Sequence, residues 1–304
     1  SASPSVIASM VAAKPKPKQA AKRLSRPKAS AKKSAATAGA QAKKRPASVQ
    51  KDSLPELVLA PEPSAEAKAW SYDRLWDPPE IRKGWHSRNV TFWREEASDV
   101  RGMTGGGVSD KDLPFSQKAM KALAKRYRNS SRFAVALECG AGIGRVTNGV
   151  LREHCDHIHL VELVQKHVTE ARRRVGQRSD HCTFSFHNSS MQKFRITPRT
   201  FDLIWCQWLL MYLTDEDGLD LLTRARKGLK PDGILVVKEN QSTINMGTYF
   251  DDADGELVGR GGLSGPPVSC VRTPLHHHNL FERAGLRIVE ERVQNLGSDN
   301  MKMG

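Results

Sequence analysis

Three glycines and two acidic residues stand at spacings that could bind a nucleoside. Gly140, Gly142 and Gly144 in "ALECGAGIGRVTNGVL" follow an apolar run and precede a helical pattern, a position where backbone N–H groups approach a ligand closely. A dinucleotide site would show GxGxxG, whereas the spacing here is tighter. Glu162 ends the next apolar run, twenty-four residues after Glu138, and a carboxylate there suits a ribose diol. The alternative is a turn that serves packing alone.

Short apolar runs alternate with helical patterns in the part of the chain that contains this turn. The predicted strands are RFAVALE, HIHLVEL, CTFSFHN, FDLIWCQWL, GILVVKEN and RIVEERVQ. The predicted helices are RVTNGVLREH, VQKHVTEARRRV, DEDGLDLLTRARKGL and PLHHHNLFERAGL. This alternation predicts an α/β fold, a doubly wound parallel sheet with helices on both faces. Ligands bind at the carboxyl ends of the strands in such sheets, which is where the glycine turn lies.

Basic residues are concentrated at the start of the chain. Of the net charge of +15, thirteen positive charges lie in residues 1–51, which contain no acidic residue, so only +2 remains for the rest. Lys, Ala, Pro and Ser dominate there, and the composition predicts a disordered basic tail over residues 1–68. Three interpretations of this tail stay open: a solvated segment, an electrostatic arm that contacts nucleic acid or chromatin, and an organellar transit peptide.

Composition also argues against several classes of protein. No run of about eighteen apolar residues occurs, so we expect no contact with a membrane. The five cysteines form no CxxC pair, which argues against a zinc site and a disulfide framework and favours the cytoplasm or the nucleus. Three consecutive histidines at 276–278 cannot converge on one ion, so we expect no metal.

The ECGAGIGR turn with Glu162 resembles the class I methyltransferases that use S-adenosylmethionine. The resemblance implies a Rossmann-like class I methyltransferase sheet and S-adenosylmethionine as the cofactor. The residues that it would place against the cofactor are Gly140 and Gly142 at the methionine part, Arg145 at the carboxylate, Glu162 at the ribose, and Met191 and Gln192 near the adenine.

Longer motifs make the resemblance more specific. LECGAGIGRVT, FDLIWCQWLL, YLTDED and LKPDGILVVKEN, followed by DDAD, are similar to the protein N-terminal (alpha-N) methyltransferases, which methylate the α-amino group of proteins that begin X-Pro-Lys. FWREEASDVRGMTGGG resembles that family's leading segment, and the match covers about residues 88–296. We therefore expect a helical cap segment over residues 69–130 and a methyltransferase domain over residues 131–304.

The family's site residues can be carried over to matching positions. Gln207 would contact the cofactor, and Asn240 and Asp254 would face the incoming N-terminus and act in catalysis. The residues that would bind the substrate are Trp93, Gly105, Trp208, Tyr212 and Asp251. The remaining tryptophans, Trp70, Trp76, Trp85 and Trp205, are interpreted as packing residues.

The sequence departs from the family beside the substrate. Tyr212 stands where family members carry His, which removes one candidate proton acceptor, and about a dozen residues near 256–267 are inserted. The chain also ends within what would be the last strand pair, so we expect an incomplete edge of the sheet. Two other functions stay open: a class I methyltransferase that acts on another side chain or a small molecule, and a nucleic-acid-binding protein with a vestigial methyltransferase fold. The intact GAGIGR and the acidic loop favour an enzyme whose substrate is a protein or peptide with a free N-terminus.

Overall fold

The computed structural model describes six stretches of the chain, residues 5–13, 75–127, 132–176, 181–243, 247–251 and 266–296. All of them belong to one compact unit, formed by Ser1–Pro15 and Ser71–Gly304. The segment Lys16–Trp70 lies outside the described residues, as do Asp254 and most of the inserted segment.

A seven-stranded sheet forms the centre of this unit. Its strands, in spatial order, are β4 (Thr183–Asn188), β3 (Cys155–Glu162), β2 (Phe133–Cys139), β5 (Phe201–Gln207), β6 (Leu229–Gln241), β1 (Ser5–Ala13) and β9 (Leu286–Asn295). The first five in this order are parallel, and β1 is antiparallel to both of its neighbours. Cys139 pairs with Val161 and Cys206, and Gln207 pairs with Lys238. The carboxyl ends of the parallel strands therefore share one edge, as the alternating pattern predicted.

Helices flank both faces of the sheet. In the described residues they are α1 (Pro79–Arg82), α2 (Trp85–Glu95), α3 (Val100–Thr104), α4 (Ser109–Tyr127), α5 (Arg145–Gly149), α6 (Gln165–Val175), α7 (Asp215–Gly228) and α8 (Pro274–Arg283). The LTDED motif begins α7, because the Thr214 side chain accepts the N–H of Asp217 and the first turn is acidic. The helix predicted over RVTNGVLREH is shorter, since α5 ends at Gly149 and a 3₁₀ turn follows. No described helix is both long and apolar enough to cross a bilayer.

Apolar side chains cover both faces of the sheet. Leu137 and Ile204 point to one face and pack with α7 and α8, whereas their neighbours Ala136 and Leu203 point to the other and pack with α4. This alternation is the period of two that a strand imposes. Trp205 is 1% exposed within the second cluster, so the prediction that it packs in the core is confirmed.

The strand β1 lies between β6 and β9, at the end of the sheet that we expected to be incomplete. Ser5 pairs with Gln241 on β6 and with Asn295 on β9. This differs from the prediction that residues 1–68 are disordered. The strand contains no charged residue and no proline, and three of its nine residues are β-branched, a composition that suits a strand flanked by two others. Residues 14–74 lie outside the described part of the chain, and for them disorder stays a prediction.

The leading helices α1–α4 occupy the segment that was predicted to form a cap. A two-stranded ribbon, β7 (Tyr249–Asp251) and β8 (Ser269–Val271), lies against their start. Trp76 and Trp85 meet edge to face at 4.8 Å, and both contact Phe250 of β7, at 5.1 and 5.8 Å. These two tryptophans therefore serve packing, as predicted, and hold the leading segment to the ribbon.

Candidate active site at the carboxyl edge of the sheet

The glycine turn between β2 and α5 forms part of the wall of a cavity at the carboxyl edge. Gly140, Gly142 and Gly144 have φ values of 67°, 54° and 72°, a region that other residues seldom adopt. A Cβ on Gly142 would lie 2.8 Å from Sδ of Met103 in the leading segment. The close approach leaves no room for a side chain, so the turn presents bare backbone to the cavity.

Glu162 ends β3 directly beside this turn. Its Oε2 accepts the N–H of Gly142 at 3.0 Å, and its Oε1 accepts the N–H of Val164 at 2.7 Å. Burial raises the pKa of this carboxyl, against the opposing effect of the backbone N–H groups. The two donors fix the orientation of the carboxylate, and its remaining lone pairs can accept from a diol. The glycine turn and the carboxylate therefore lie together, as their spacing indicated, and form a candidate nucleoside cradle.

Glu138, the acidic residue before the turn, is a titratable group on the same wall. Burial raises its pKa to about 7, although the hydroxyl of Thr147, which donates to Oε2, opposes the shift. A carboxyl with such a pKa is partly ionised at neutral pH and becomes more ionised when a cation binds beside it. The sequence marked Glu138 only as part of the motif, and burial is what reveals this property.

Arg145, at the start of α5, belongs to a buried group of charges. Its Nη1 donates to Oδ2 of Asp112 at 2.7 Å, and Nε2 of Gln207 donates to both oxygens of the same carboxylate, at 3.1 and 3.0 Å. Nζ of Lys238 donates to Oδ1 of Asp112 and to Oγ of Ser116, the latter at 2.8 Å. We call Asp112, Arg145, Gln207 and Lys238 the Asp112 cluster. It joins α4, α5, β5 and β6.

Sequence reasoning missed two members of this cluster. Lys238 is fully buried, and its position inside the apolar run ILVVKEN is the signal that could have identified it. Asp112 gave no such signal, because acidic residues are common in the first turn of a helix. Burial raises the pKa of Asp112, but Lys238 and Arg145 outweigh that effect and lower it. The carboxylate therefore stays ionised in the interior.

The cavity has a volume of about 1110 Å³. It brings together every predicted site residue that the structure describes: Trp93, Gly105, Gly140, Gly142, Arg145, Glu162, Met191, Gln192, Gln207, Trp208, Tyr212, Asn240 and Asp251. Asp254 lies outside the described residues. Pockets for one small molecule commonly span about 300–1000 Å³. This cavity therefore has room for a nucleoside cofactor and part of a second reactant.

Three aromatic side chains in mutual contact line another part of the cavity. Trp93 lies edge to face with Tyr212 at 5.2 Å, and Phe92 lies 5.2 Å from Trp93 and 6.4 Å from Tyr212. The backbone of Trp93 is held by His167, whose Nε2 is 2.9 Å from its carbonyl oxygen. Burial raises the pKa of Tyr212, so its phenol remains protonated and can serve only as a neutral hydrogen-bonding group.

Trp208 is a strained residue in the wall of the cavity. Its φ of +51° is rare for a bulky residue. Because this backbone conformation does not fit a strand, β5 ends at Gln207, two residues before the end of the predicted strand FDLIWCQWL. The Arg145 guanidinium lies 5.1 Å from the ring centre, and the buried Nε1 has no hydrogen-bond partner among the described residues. Such strain persists where the surroundings impose it, often at ligand sites. Trp208 lines the cavity, and its role in binding the substrate stays a prediction.

The loop that carries Trp208 and Tyr212 rests on a second buried ion pair. Arg272 donates to the carbonyl oxygens of Leu210 and Leu213, both at 2.7 Å, and to Asp215 at 2.8 and 2.9 Å. Nε2 of His276 lies 2.7 Å from the same carboxylate. This network fixes both ends of the 3₁₀ turn that presents Tyr212. Sequence reasoning assigned no role to it.

The remaining predicted residues that the structure describes also line the cavity. Asn240, at the end of β6, and Asp251, at the end of β7, supply oxygen acceptors to the cavity. Met191 is buried at 5% exposure, whereas Gln192 is exposed and its Nε2 lies 3.5 Å from Nδ1 of His86. Gly105 has a φ of 65°, and a Cβ added there would meet no other atom within 4 Å. This part of the lining thus combines buried and exposed groups.

Comparisons with known proteins agree with this geometry. The AdoMet dependent proline di-methyltransferase family model matches residues 82–300. N-terminal Xaa-Pro-Lys N-methyltransferase 1 of Danio rerio is 32% identical over 219 residues, which are 71% of this chain and 91% of the relative. The Mus musculus enzyme of that name is 31% identical over 220 residues, 71% and 92% of the two chains. Alpha N-terminal protein methyltransferase 1 of Oryza sativa subsp. indica is 31% identical over 239 residues, 75% and 72% of the two chains.

A solved structure gives the same result for the fold. A SAM-dependent methyltransferase of Leishmania major superposes with a TM-score of 0.60 and 28% identity, over 72% of this chain and 83% of that one. The predicted Rossmann-like class I sheet is therefore confirmed. The family match includes the glycine turn, Glu162, the Asp112 cluster and the strained loop at Trp208. This chain is an S-adenosylmethionine-dependent methyltransferase, and it belongs to the AdoMet-dependent proline di-methyltransferase family.

Proposed function

We propose that this enzyme transfers methyl groups from S-adenosylmethionine to the α-amino group of proteins whose N-termini read X-Pro-Lys. The names of its relatives in zebrafish and mouse state that specificity for those proteins. One observation carries the proposal for this chain: the cavity that contains the nucleoside cradle at Glu162 also contains Asn240 and Asp251. An amide oxygen and a carboxylate are the acceptors that an amine and a cationic side chain require.

The cofactor side of the cavity consists of groups that the fold holds still. Glu162 would bind the ribose hydroxyls, Arg145 the carboxylate, and the glycine turn the methionine part. Met191 and Gln192 would contact the adenine. Gln207 is held at both ends of its amide, by Asp112 and by Nε1 of Trp205 at 3.1 Å, and would form a fixed wall. S-adenosylmethionine supplies a methyl group that is activated by its sulfonium.

The substrate side must present a neutral amine in line with that methyl group. An α-amino group has a pKa of about 8, so roughly one-tenth or more is neutral at physiological pH. Asn240 can accept a hydrogen bond from the amine without adding charge, and Asp251 can attract the substrate's positive charge. The N–C bond forms as the S–C bond breaks, and Asp254 is the proposed acceptor of the proton that leaves nitrogen. Alignment of two bound reactants can contribute about 7–11 kcal/mol, so positioning dominates.

Mass spectrometry of two peptides tests the proposal. An Ala-Pro-Lys-Arg peptide and its N-acetylated twin are incubated with enzyme and cofactor, and a peptide without Pro at position two serves as the specificity control. We expect methylation of the free peptide only, by 14 Da per round. Methylation of both twins would place the methyl group on a side chain and contradict the proposal.

We also propose that the basic tail contacts nucleic acid and that the protein acts in the cytoplasm or the nucleus. The support is the thirteen positive charges of residues 1–51. Several Lys–phosphate contacts would make the binding steeply dependent on salt. Removal of residues 16–68 should abolish retention on double-stranded DNA at low salt, and retention equal to that of the full chain would contradict a role for the tail.

A further inference from the structure

The charges of the Asp112 cluster do not balance. Lys238 and Arg145 are cations, and Asp112 is the anion between them, so the three groups carry a net charge of +1. Asp112 and Lys238 are 0% exposed and Arg145 is 9% exposed. An unbalanced buried charge is costly unless a counter-charge reaches it. Of the three, only Arg145 lines the cavity, and Glu138 lines it too. Because burial raises the pKa of Glu138 to about 7, this carboxyl is only partly ionised and offsets part of the charge, so the rest of the counter-charge has to come from a ligand in the cavity.

The two oxygens of Asp112 divide the cations between them. Lys238 binds Oδ1 and Arg145 binds Oδ2. The single negative charge of Asp112 is therefore shared by two cations and neutralises Arg145 only in part. Burial lowers the pKa of Lys238, while Asp112 opposes that shift and keeps the ammonium paired. Within the described residues, both hydrogen bonds of Arg145 use Nη1, to Asp112 and to Ser109. Its Nε and Nη2 remain for a ligand, with the guanidinium over the Trp208 ring.

We propose that Asp112 and Lys238 are positioning residues for the carboxylate of the cofactor, although neither touches the cavity. Asp112 fixes the orientation of the Arg145 guanidinium. Lys238 offsets the negative charge of Asp112, so the positive charge of Arg145 is not fully compensated and can pair with the cofactor carboxylate. The inference rests on the proposed contact between Arg145 and the cofactor carboxylate. Because Asp112 lies on α4, the cluster also ties the leading segment to the cofactor site.

Two nucleosides separate this role from a purely structural one. S-adenosylhomocysteine carries the amino-acid carboxylate, and 5′-methylthioadenosine lacks it, so only the first can report on Arg145. Calorimetric titration of Lys238→Met should show about tenfold weaker binding of S-adenosylhomocysteine, the scale of one charge-assisted hydrogen bond. Binding of 5′-methylthioadenosine should change by less than about twofold, because nothing around the ribose or the adenine is altered. The KM for S-adenosylmethionine should rise by a factor similar to that for S-adenosylhomocysteine and by more than kcat falls, as expected for a contact made equally in the ground state and the transition state.

A double variant makes the test independent of damage to the fold. Asp112→Asn alone would leave two buried cations without an anion. Asp112→Asn with Lys238→Met returns the net charge to +1 and leaves Arg145 an amide oxygen to donate to. We expect this variant to bind S-adenosylhomocysteine within about threefold of wild type, and better than Lys238→Met, a coupling that independent sites would not show.

Two further variants serve as references. Lys230 lies at the other end of β6 and pairs with Asp202 at 2.8 Å. Lys230→Met is therefore the matched control, and we expect it to change the affinity for neither S-adenosylhomocysteine nor 5′-methylthioadenosine. Arg145→Ala should weaken S-adenosylhomocysteine selectively; if it does not, the proposed cofactor contact itself is wrong. If Arg145→Ala discriminates between the two nucleosides, the positioning role is overturned by any of three results with Lys238→Met: unchanged affinity, equal weakening of both nucleosides, or no recovery in the double variant.

Discussion

The two sides of the cavity are built by different means. On the cofactor side, Glu162 and the Asp112 cluster lie on strand ends and helix starts, and each carboxylate is held by at least two donors. On the substrate side, Trp208 and Tyr212 lie on a loop with a strained backbone, and Asp251 precedes a segment that lies outside the described residues. Groups on strands and helices are placed more rigidly than groups on loops.

The contrast indicates where the specificity of this enzyme resides. A nucleoside cofactor presents the same groups to every enzyme that uses it, so a rigid cradle suffices. The proposed substrate, a peptide N-terminus, must enter, be methylated and leave. This favours side chains on loops that buried residues hold in place, as Arg272 does for the Tyr212 turn. Substitutions on the substrate side should therefore change turnover and leave cofactor affinity intact, while those on the cofactor side should do the reverse.

The largest effect is expected from Asn240→Lys. A lysine at the carboxyl end of β6 would place a positive charge where the substrate amine enters, which repels an ammonium and blocks the position that accepts a hydrogen bond. We expect turnover to fall by more than about a thousandfold, since orientation and amide contact are lost together. Calorimetry with S-adenosylhomocysteine should show wild-type affinity. A variant that loses cofactor binding as well would show that the two sides are not separable at Asn240.

Asp254→Asn should have the next largest effect. Loss of the proposed proton acceptor should lower turnover by at least about a hundredfold, the scale of one general-base group. Asp252→Asn removes the same charge from the same acidic run and serves as the matched control. Its effect on turnover should be below about tenfold. Equal losses in the two variants would mean that the run acts through its charge on peptide binding and that no single carboxylate takes the proton.

Deletion of residues 1–13 should affect the substrate side through the sheet. Val6 pairs with Asn240, so removing β1 leaves the strand that carries this side chain without one neighbour. We expect a lower Tm and at least about tenfold lower turnover, as a misplaced reactive group costs about that much or more. Deletion of residues 16–68, which retains β1, should leave turnover on a short peptide within about twofold. If both deletions behave alike, β1 contributes nothing to the placement of Asn240.

Much of the cofactor side could be predicted from the sequence, because its signals are local. The tight glycine spacing, the acidic residue that ends β3 and the alternation of strands and helices are all contained in short windows. Two members of the Asp112 cluster, Asp112 and Lys238, were missed because they stand more than a hundred positions apart and only burial makes their charges informative. The strand β1 was missed for a similar reason: its neighbours β6 and β9 lie more than two hundred residues away, and its own surroundings are basic and polar.

A smaller effect, on the cofactor side, is a dependence of cofactor affinity on pH. Burial raises the pKa of Glu138 to about 7, and S-adenosylmethionine carries a net positive charge, so binding favours the ionised carboxyl and releases a proton. Affinity should therefore rise with pH, by about tenfold between roughly pH 6 and 8, as the ionised fraction rises. Glu138→Gln should flatten this dependence. Calorimetry in buffers of different ionisation enthalpy would detect the proton, and a profile that is equally steep in the variant would assign it to another group.

The smallest effect is expected from Tyr212→Phe, at the position where relatives were expected to carry His. Burial raises the pKa of this phenol, so it does not ionise in the working range and cannot act as the base. Phe keeps the ring against Trp93 and Phe92, so turnover should fall by less than about tenfold, the value of one neutral hydrogen bond. The pH profile of kcat/KM should keep its shape.

Tyr212→Leu, which removes the ring, should lower turnover more than Tyr212→Phe does, because the aromatic contacts place Trp93. A hundredfold loss in the Phe variant with a changed pH profile would make Tyr212 the proton acceptor. The loop at 208–213, and not the acidic run, would then contain the base, and the substrate side would be more ordered than the comparison of the two sides implies.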